Sequence, residues 1–143
     1  MRLLVIAVCD SVSGRAALRW AAGRAFDLGA DALLVTAVPS QVAVGSLSAG
    51  VISVGLPGTA AIRAGVQLVE RLVDEELPDR WMRPALSIVA TEQTLRDAMV
   101  MEAKRADLVV FGVPRRRFAQ MEVARCRRGV TCPVVTVEVD HIH

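Results

Sequence analysis

Apolar and polar positions along this chain fall into blocks, each closed by a residue that breaks the pattern. Arg2 to Cys9 (RLLVIAVC) is a short continuous apolar run, β-branched at Val5, Ile6 and Val8. A run of this kind predicts a strand buried on both faces. Asp10-Ser11-Val12-Ser13-Gly14 follows, which is turn and helix-start chemistry with Ser13 as the expected N-cap. Leu18, Ala21, Ala22 and Ala25 then share one helical face as far as about Leu28, and Gly29 is placed to stop the helix. Ala32 to Val38 is a second buried-strand run, ended by Pro39.

The same alternation continues. Ile62, Val66, Val69, Leu72 and Val73 mark a second helix from about Thr59 to Leu77, with Pro78 just beyond its end. Leu86 to Ala90 reads as a third strand, and Thr91 or Thr94 opens a helix carrying Leu95, Ala98 and Met99. Thr94 with Asp97 resembles a capping box. Asp107 to Phe111 is a fourth strand ending at Gly112. An Arg-rich helix from about Arg117 to Arg128 stops at Gly129, and Pro133 to Val139 is the fifth strand.

Strands alternating with helices imply βαβ units, hence an α/β domain on a doubly wound, mostly parallel sheet. Right-handed crossovers leave few topologies open. No internal repeat, linker or low-complexity tract divides residues 1–143, so one domain is expected. The exception to the rhythm is Pro39 to Pro57, an uncharged connection rich in Gly, Ser and Val. A segment of that length is either a surface loop with apolar patches or a flap over a ligand crevice.

Composition sharpens this in three places. The hydrophobic fraction of 53% and mean hydropathy of +0.43 reflect mostly Ala and Val, which suit buried strands and closely packed helices. No run reaches the roughly 20 unbroken apolar residues of a membrane span, and no cleavable leader follows Met1, so neither membrane nor secretion is expected. Cys9, Cys126 and Cys132 lack metal-type spacing and read as reduced thiols in a cytoplasmic protein. A net charge of +2 argues against an electrostatic nucleic-acid binder.

Catalytic chemistry is hard to assemble. The only histidines are His141 and His143, so no internal imidazole can serve a serine or cysteine nucleophile. Asp27, Asp31, Glu70, Asp74, Glu75 and Glu76 fall where helices end or face solvent and form no recognisable pair. Trp20 and Trp81 read as packing residues. No enzyme is expected, with a catalytic variant of a related nucleotide-using fold and a thiol redox module as the rival classes.

Three strings carry a resemblance. "LLVIAVCDSVSGRAALRWAAGRAFDLGADALLVTAV" is similar to the opening of the universal stress proteins, and "EAKRADLVVFG" and "TCPVVTVEV" to their fourth and final strands. The resemblance spans the chain apart from Pro39 to Pro57. It implies a Rossmann-like, five-stranded sheet in the order 3-2-1-4-5, with a ligand crevice between the first and fourth strands. It further implies a homodimer through the edge strand Val134 to Val139, whose β-branched edge is a template for pairing.

ATP-binding members of that family carry G-x-x-G-x9-G-[S/T] after strand four, where glycines let backbone N–H groups close around phosphate. Here Gly112 holds the first position, but the second falls on Arg115, the third on Arg125 and the hydroxyl position on Cys126. A left-handed backbone at Arg115 costs about 1–2 kcal/mol. Gapless alignment also puts Cys9, not Asp10, at the family's adenine-contacting Asp. The usual ATP mode is therefore expected to be lost, leaving no cofactor. Against this stand Arg115, Arg116, Arg117, Arg125, Arg127 and Arg128, since guanidinium forks can hold phosphate without a glycine cradle. A remodelled nucleotide or anion crevice would use Asp10, Val38, Gly112, Arg115 and Arg116. The other readings of these arginines are a solvated helix face and a site for an acidic protein or RNA. Tyr is absent and Phe118 is the one ring nearby, which speaks against a nucleic-acid partner. The expectation is a dimeric stress-type binding or regulatory module, with a protein partner possible.

Overall fold

A computed structural model describes residues 2–38, 57–114 and 117–139. Within them β1 (Leu3–Ala7), α1 (Val12–Leu28), β2 (Asp31–Ala37), α2 (Pro57–Glu76), β3 (Leu86–Thr91), α3 (Leu95–Glu102), β4 (Leu108–Pro114), α4 (Arg117–Arg128) and β5 (Val134–Val139) follow in order. Short 3-10 turns at Arg80–Met82 and Ala103–Arg105 precede β3 and β4. The five strands form one sheet in the order β3-β2-β1-β4-β5, with every neighbouring pair parallel. This is the expected doubly wound topology.

The centre of the sheet explains why β1 is so apolar. Val5 pairs with Leu33 on one side and Val109 on the other, so β1 has no free edge. Both of its faces are covered as well. Leu4, Ile6 and Val8 point into a core shared with Leu18, Ala21 and Ala25 of α1 and Val69 and Leu72 of α2. Val5 and Ala7 point into the opposite core, with Ala98 and Met99 of α3 and Val123 of α4. A strand enclosed in this way needs an unbroken apolar sequence, and that is the pattern present. The alanines of α1 let its backbone approach the sheet closely.

Helix ends follow local chemistry. Gly29 closes α1 with a left-handed backbone (φ 64°), and its N–H reaches the Phe26 carbonyl. Thr94 caps α3, accepting the Asp97 N–H at 3.1 Å. At the start of α1, however, the cap is Ser11, not Ser13. Ser11 has extended backbone and its Oγ accepts the Gly14 N–H at 2.9 Å. Ser13 lies two residues further in, already inside the helix, and is buried. Both serines precede an apolar stripe, and the choice falls on the one where the chain leaves the extended conformation.

The tryptophans also depart from expectation. Trp81, in the turn before β3, is 91% exposed and Trp20 is 42% exposed, so neither belongs to the core. The core is filled mostly by aliphatic side chains instead, with Phe111 as a buried ring. Among the described residues no helix is long and apolar enough to cross a membrane. The three cysteines are free thiols.

Candidate binding crevice

The strand order reverses between β1 and β4, so the crevice of an open parallel sheet lies beyond the C-terminal ends of these two strands. The loop leaving β1 forms one wall. Cys9 is exposed there, with its Sγ 3.2 Å from the Ser11 hydroxyl, and the first turn of α1 begins directly beside it.

Gly112 forms the other wall, and its surroundings are decisive. A Cβ built at Gly112 would overlap the Ser13 carbonyl and crowd the Ala17 methyl. The missing side chain is what lets the start of α1 seat against β4. Gly112 therefore has a packing role, and the place its Cβ would take is held by a carbonyl oxygen.

Asp10 is drawn out of the crevice toward α1 and α2. Nε and Nη2 of Arg15 each lie 3.0 Å from its Oδ1, and Nη2 of Arg71 is 3.3 Å from its Oδ2. Arg15 also donates to Glu75 at 2.7 Å and to Glu76 at 2.8 Å, and Arg19 pairs with Glu76. Three guanidinium groups and three carboxylates thus close into one cluster. Hydrogen bonds to Glu76, Glu75 and Asp10 raise the Arg15 pKa further above its usual value. The same arginine, with Arg19, holds the Glu76 carboxyl below the usual carboxylate range. Glu75 and Glu76 were not recognisable partners in the sequence. Their signal was the i, i+4 spacing of Arg15 with Arg19 and of Arg71 with Glu75, which becomes informative once α1 and α2 lie side by side.

Val38 is buried just after β2, where its N–H donates to the Thr91 carbonyl at 2.8 Å. It completes the β2–β3 ladder, and its contribution to a ligand would come from its carbonyl. Arg115 and Arg116 lie outside the described residues, as do 39–56 of the long connection and the two histidines. The structure thus brings Gly112 against the first turns of α1 and ties Asp10 into the ion cluster. Among the described residues no group of three or more His, Cys, Asp or Glu could hold a metal.

Solved structures place this architecture. Universal stress protein UspA from Lactobacillus plantarum matches with a TM-score of 0.70 and 16% identity, over 95% of this chain and 97% of that one. The fold is that of the universal stress proteins. A universal stress protein in complex with cAMP matches with a TM-score of 0.64 and 18% identity, covering 96% of each chain. A universal stress family protein from Arabidopsis thaliana with AMP bound matches with a TM-score of 0.54 and 17% identity, over 99% of this chain and 94% of that one. No family model and no curated protein matches the sequence. The universal-stress-type fold is thus carried here by a sequence 16–18% identical to those of these structural neighbours.

Proposed function

We propose that this chain is a universal-stress-type protein, acting in the cytoplasm as a dimeric binding or regulatory module and lacking the usual family mode of holding ATP. The reading rests on the three sequence strings together with the fold. The observation that carries the loss of ATP is the contact at Gly112. A phosphate cradle needs backbone N–H groups free to converge on an anion. Beside Gly112 stands the Ser13 carbonyl, whose partial charge repels phosphate, and the next positions of the glycine pattern are Arg115 and Arg125. Asp10, already engaged by Arg15 and Arg71, adds no free acceptor for a base.

Dimerisation through Val134 to Val139 is supported by the position of β5. Among the described residues it is the edge strand of the sheet, paired with β4, with Val135 and Val137 packed toward α1. A non-catalytic role is supported by the lack of an internal histidine.

A second reading is favoured by the structural neighbours that hold cAMP and AMP. In it Arg115 and Arg116 replace the glycine cradle, with Val38 and Asp10 at the base. Thermal unfolding with ATP, ADP, AMP and cAMP separates the two. A ligand at 100 times its dissociation constant adds about 2.7 kcal/mol of stability. The expected result is an unchanged Tm with all four. A rise abolished by Arg115→Ala would establish the second reading.

A further inference from the structure

Between the second half of α1 and the connection from α2 to β3, a cleft of about 370 Å³ opens. Phe26, Leu77, Pro78 and Met82 supply its apolar surface, and its charged groups are Arg19, Asp27, Glu76 and Asp79. Arg19 pairs with Glu76, which also accepts from Arg15 at 2.8 Å, so these charges are already matched. Asp27 and Asp79 have no ion pair among the described residues. Asp79 uses Oδ1 to accept the Trp81 N–H at 3.0 Å and keeps further acceptor capacity. Asp27 stands in the last turn of α1, where the helix dipole already places negative potential and no basic residue offsets it. Arg24, Arg80 and Arg83, near these carboxylates in sequence, do not line the space. Arg83 turns instead to the Leu77 carbonyl at 2.6 Å and to Asp74 at 3.4 Å.

Gly23, on the α1 wall, is the second observation. A glycine inside a helix costs stability relative to alanine, so its presence calls for a reason. At Gly14 and Gly112 a Cβ would overlap neighbouring backbone, which is reason enough. At Gly23 a Cβ would meet nothing within 4 Å, and the backbone is not left-handed. Packing and backbone geometry leave this glycine unexplained, whereas the cleft accounts for it, because a longer side chain there would grow into the space.

The volume lies within the range of small-molecule sites, which join apolar surface to a few polar groups that fix orientation. Two unmatched carboxylates and a helix C-terminus favour a cation and penalise an anion. We propose that this cleft binds a small organic ammonium ion with an apolar body. The body lies on Phe26, Leu77, Pro78 and Met82, and the ammonium group is held by Asp27 and Asp79. The cleft shares Arg19 and Glu76 with the Arg15 cluster, but none of Asp10, Val38 and Gly112 lines it, so the inference does not depend on nucleotide binding.

Methyl NMR titration of the full chain with 2-phenylethylammonium tests this, with 2-phenylethanol and 3-phenylpropionate as neutral and anionic controls. The Met82 methyl should shift saturably, while Met101 on α3 and Met121 on α4, which are also exposed, should stay in place. Asp27→Asn/Asp79→Asn should weaken the ammonium ion about fivefold, as the loss of two ordinary surface ion pairs gives, and leave the alcohol unchanged. Gly23→Leu should abolish binding with Tm equal to or above that of the wild type. The proposal is overturned by the lack of a saturable Met82 shift, by equal shifts at Met101 and Met121, or by propionate binding as tightly as the ammonium ion. Undiminished affinity in either folded variant would overturn it as well.

Discussion

The Ser13 carbonyl occupies the space that a side chain on Gly112 would need. One contact thereby joins the first turn of α1 to the end of β4, at the point where the sheet reverses its order. Gly112→Ala must push α1 off the sheet, since the obstacle is backbone and cannot rotate away. A loss of about 1–3 kcal/mol is expected from such overpacking. Urea unfolding of the variant measures it, and an unchanged midpoint would mean that α1 can shift freely.

The acid side of the stability profile has an identifiable source in Asp107. Its Oδ2 accepts the N–H groups of Arg2 at 2.7 Å and Leu3 at 3.0 Å, and these bonds hold its carboxyl below the usual range. Glu76 is lowered in the same direction by Arg15 and Arg19. A carboxyl whose pKa falls on folding adds stability that is complete above its unfolded pKa and disappears as pH falls through the folded one. Asp107→Asn should therefore lower Tm at neutral pH and flatten its decline below the ordinary carboxylate range. Parallel curves for variant and wild type over that range would exclude Asp107 as a source.

The cluster around Arg15 lies near the surface, so salt should weaken it. Between 10 mM and 1 M NaCl, as about 30 Å and 3 Å Debye lengths imply, wild-type Tm should fall relative to that of Arg15→Met. In this variant Asp10 would keep only its 3.3 Å contact with Arg71. If the two proteins respond identically to salt, the cluster contributes nothing measurable.

At β5, Glu138→Pro places a residue with no N–H in the edge strand. The variant is expected to sediment as a monomer where the wild type is a dimer. A variant that stays dimeric would move the interface away from Val134 to Val139.

Much of the fold was legible because β1, β2 and β4 are enclosed by the sheet, and enclosed strands announce themselves as apolar runs such as LLVIA and LVVF. Gly29 was legible as a stop because a left-handed helix end favours glycine. Boundaries shifted by a residue or two, since β4 runs on to Pro114 and β1 stops at Ala7, both settled by pairing partners and not by composition. The candidate site was harder to read. Gly112 looks identical in sequence whether it cradles phosphate or admits Ser13, because both uses depend on the absent Cβ. One partner of Asp10, Arg71, comes from α2, 61 residues away, and no local pattern links the two. Trp81 was misread because ring size predicts burial only where the fold leaves a place for the ring.

The central position of β1 also bears on how the chain is made. Leu3 and Asp107 are separated by 104 positions, yet they meet where β1 begins. On a ribosome adding roughly 5–20 residues per second, β1 emerges and waits several seconds before β4 exists to cover its second edge. In that interval the most apolar strand of the protein has at best β2 beside it. The nascent chain is thus exposed to mispairing with its neighbours on a polysome, and a chaperone that shields residues 3–8 would act before the sheet can protect itself.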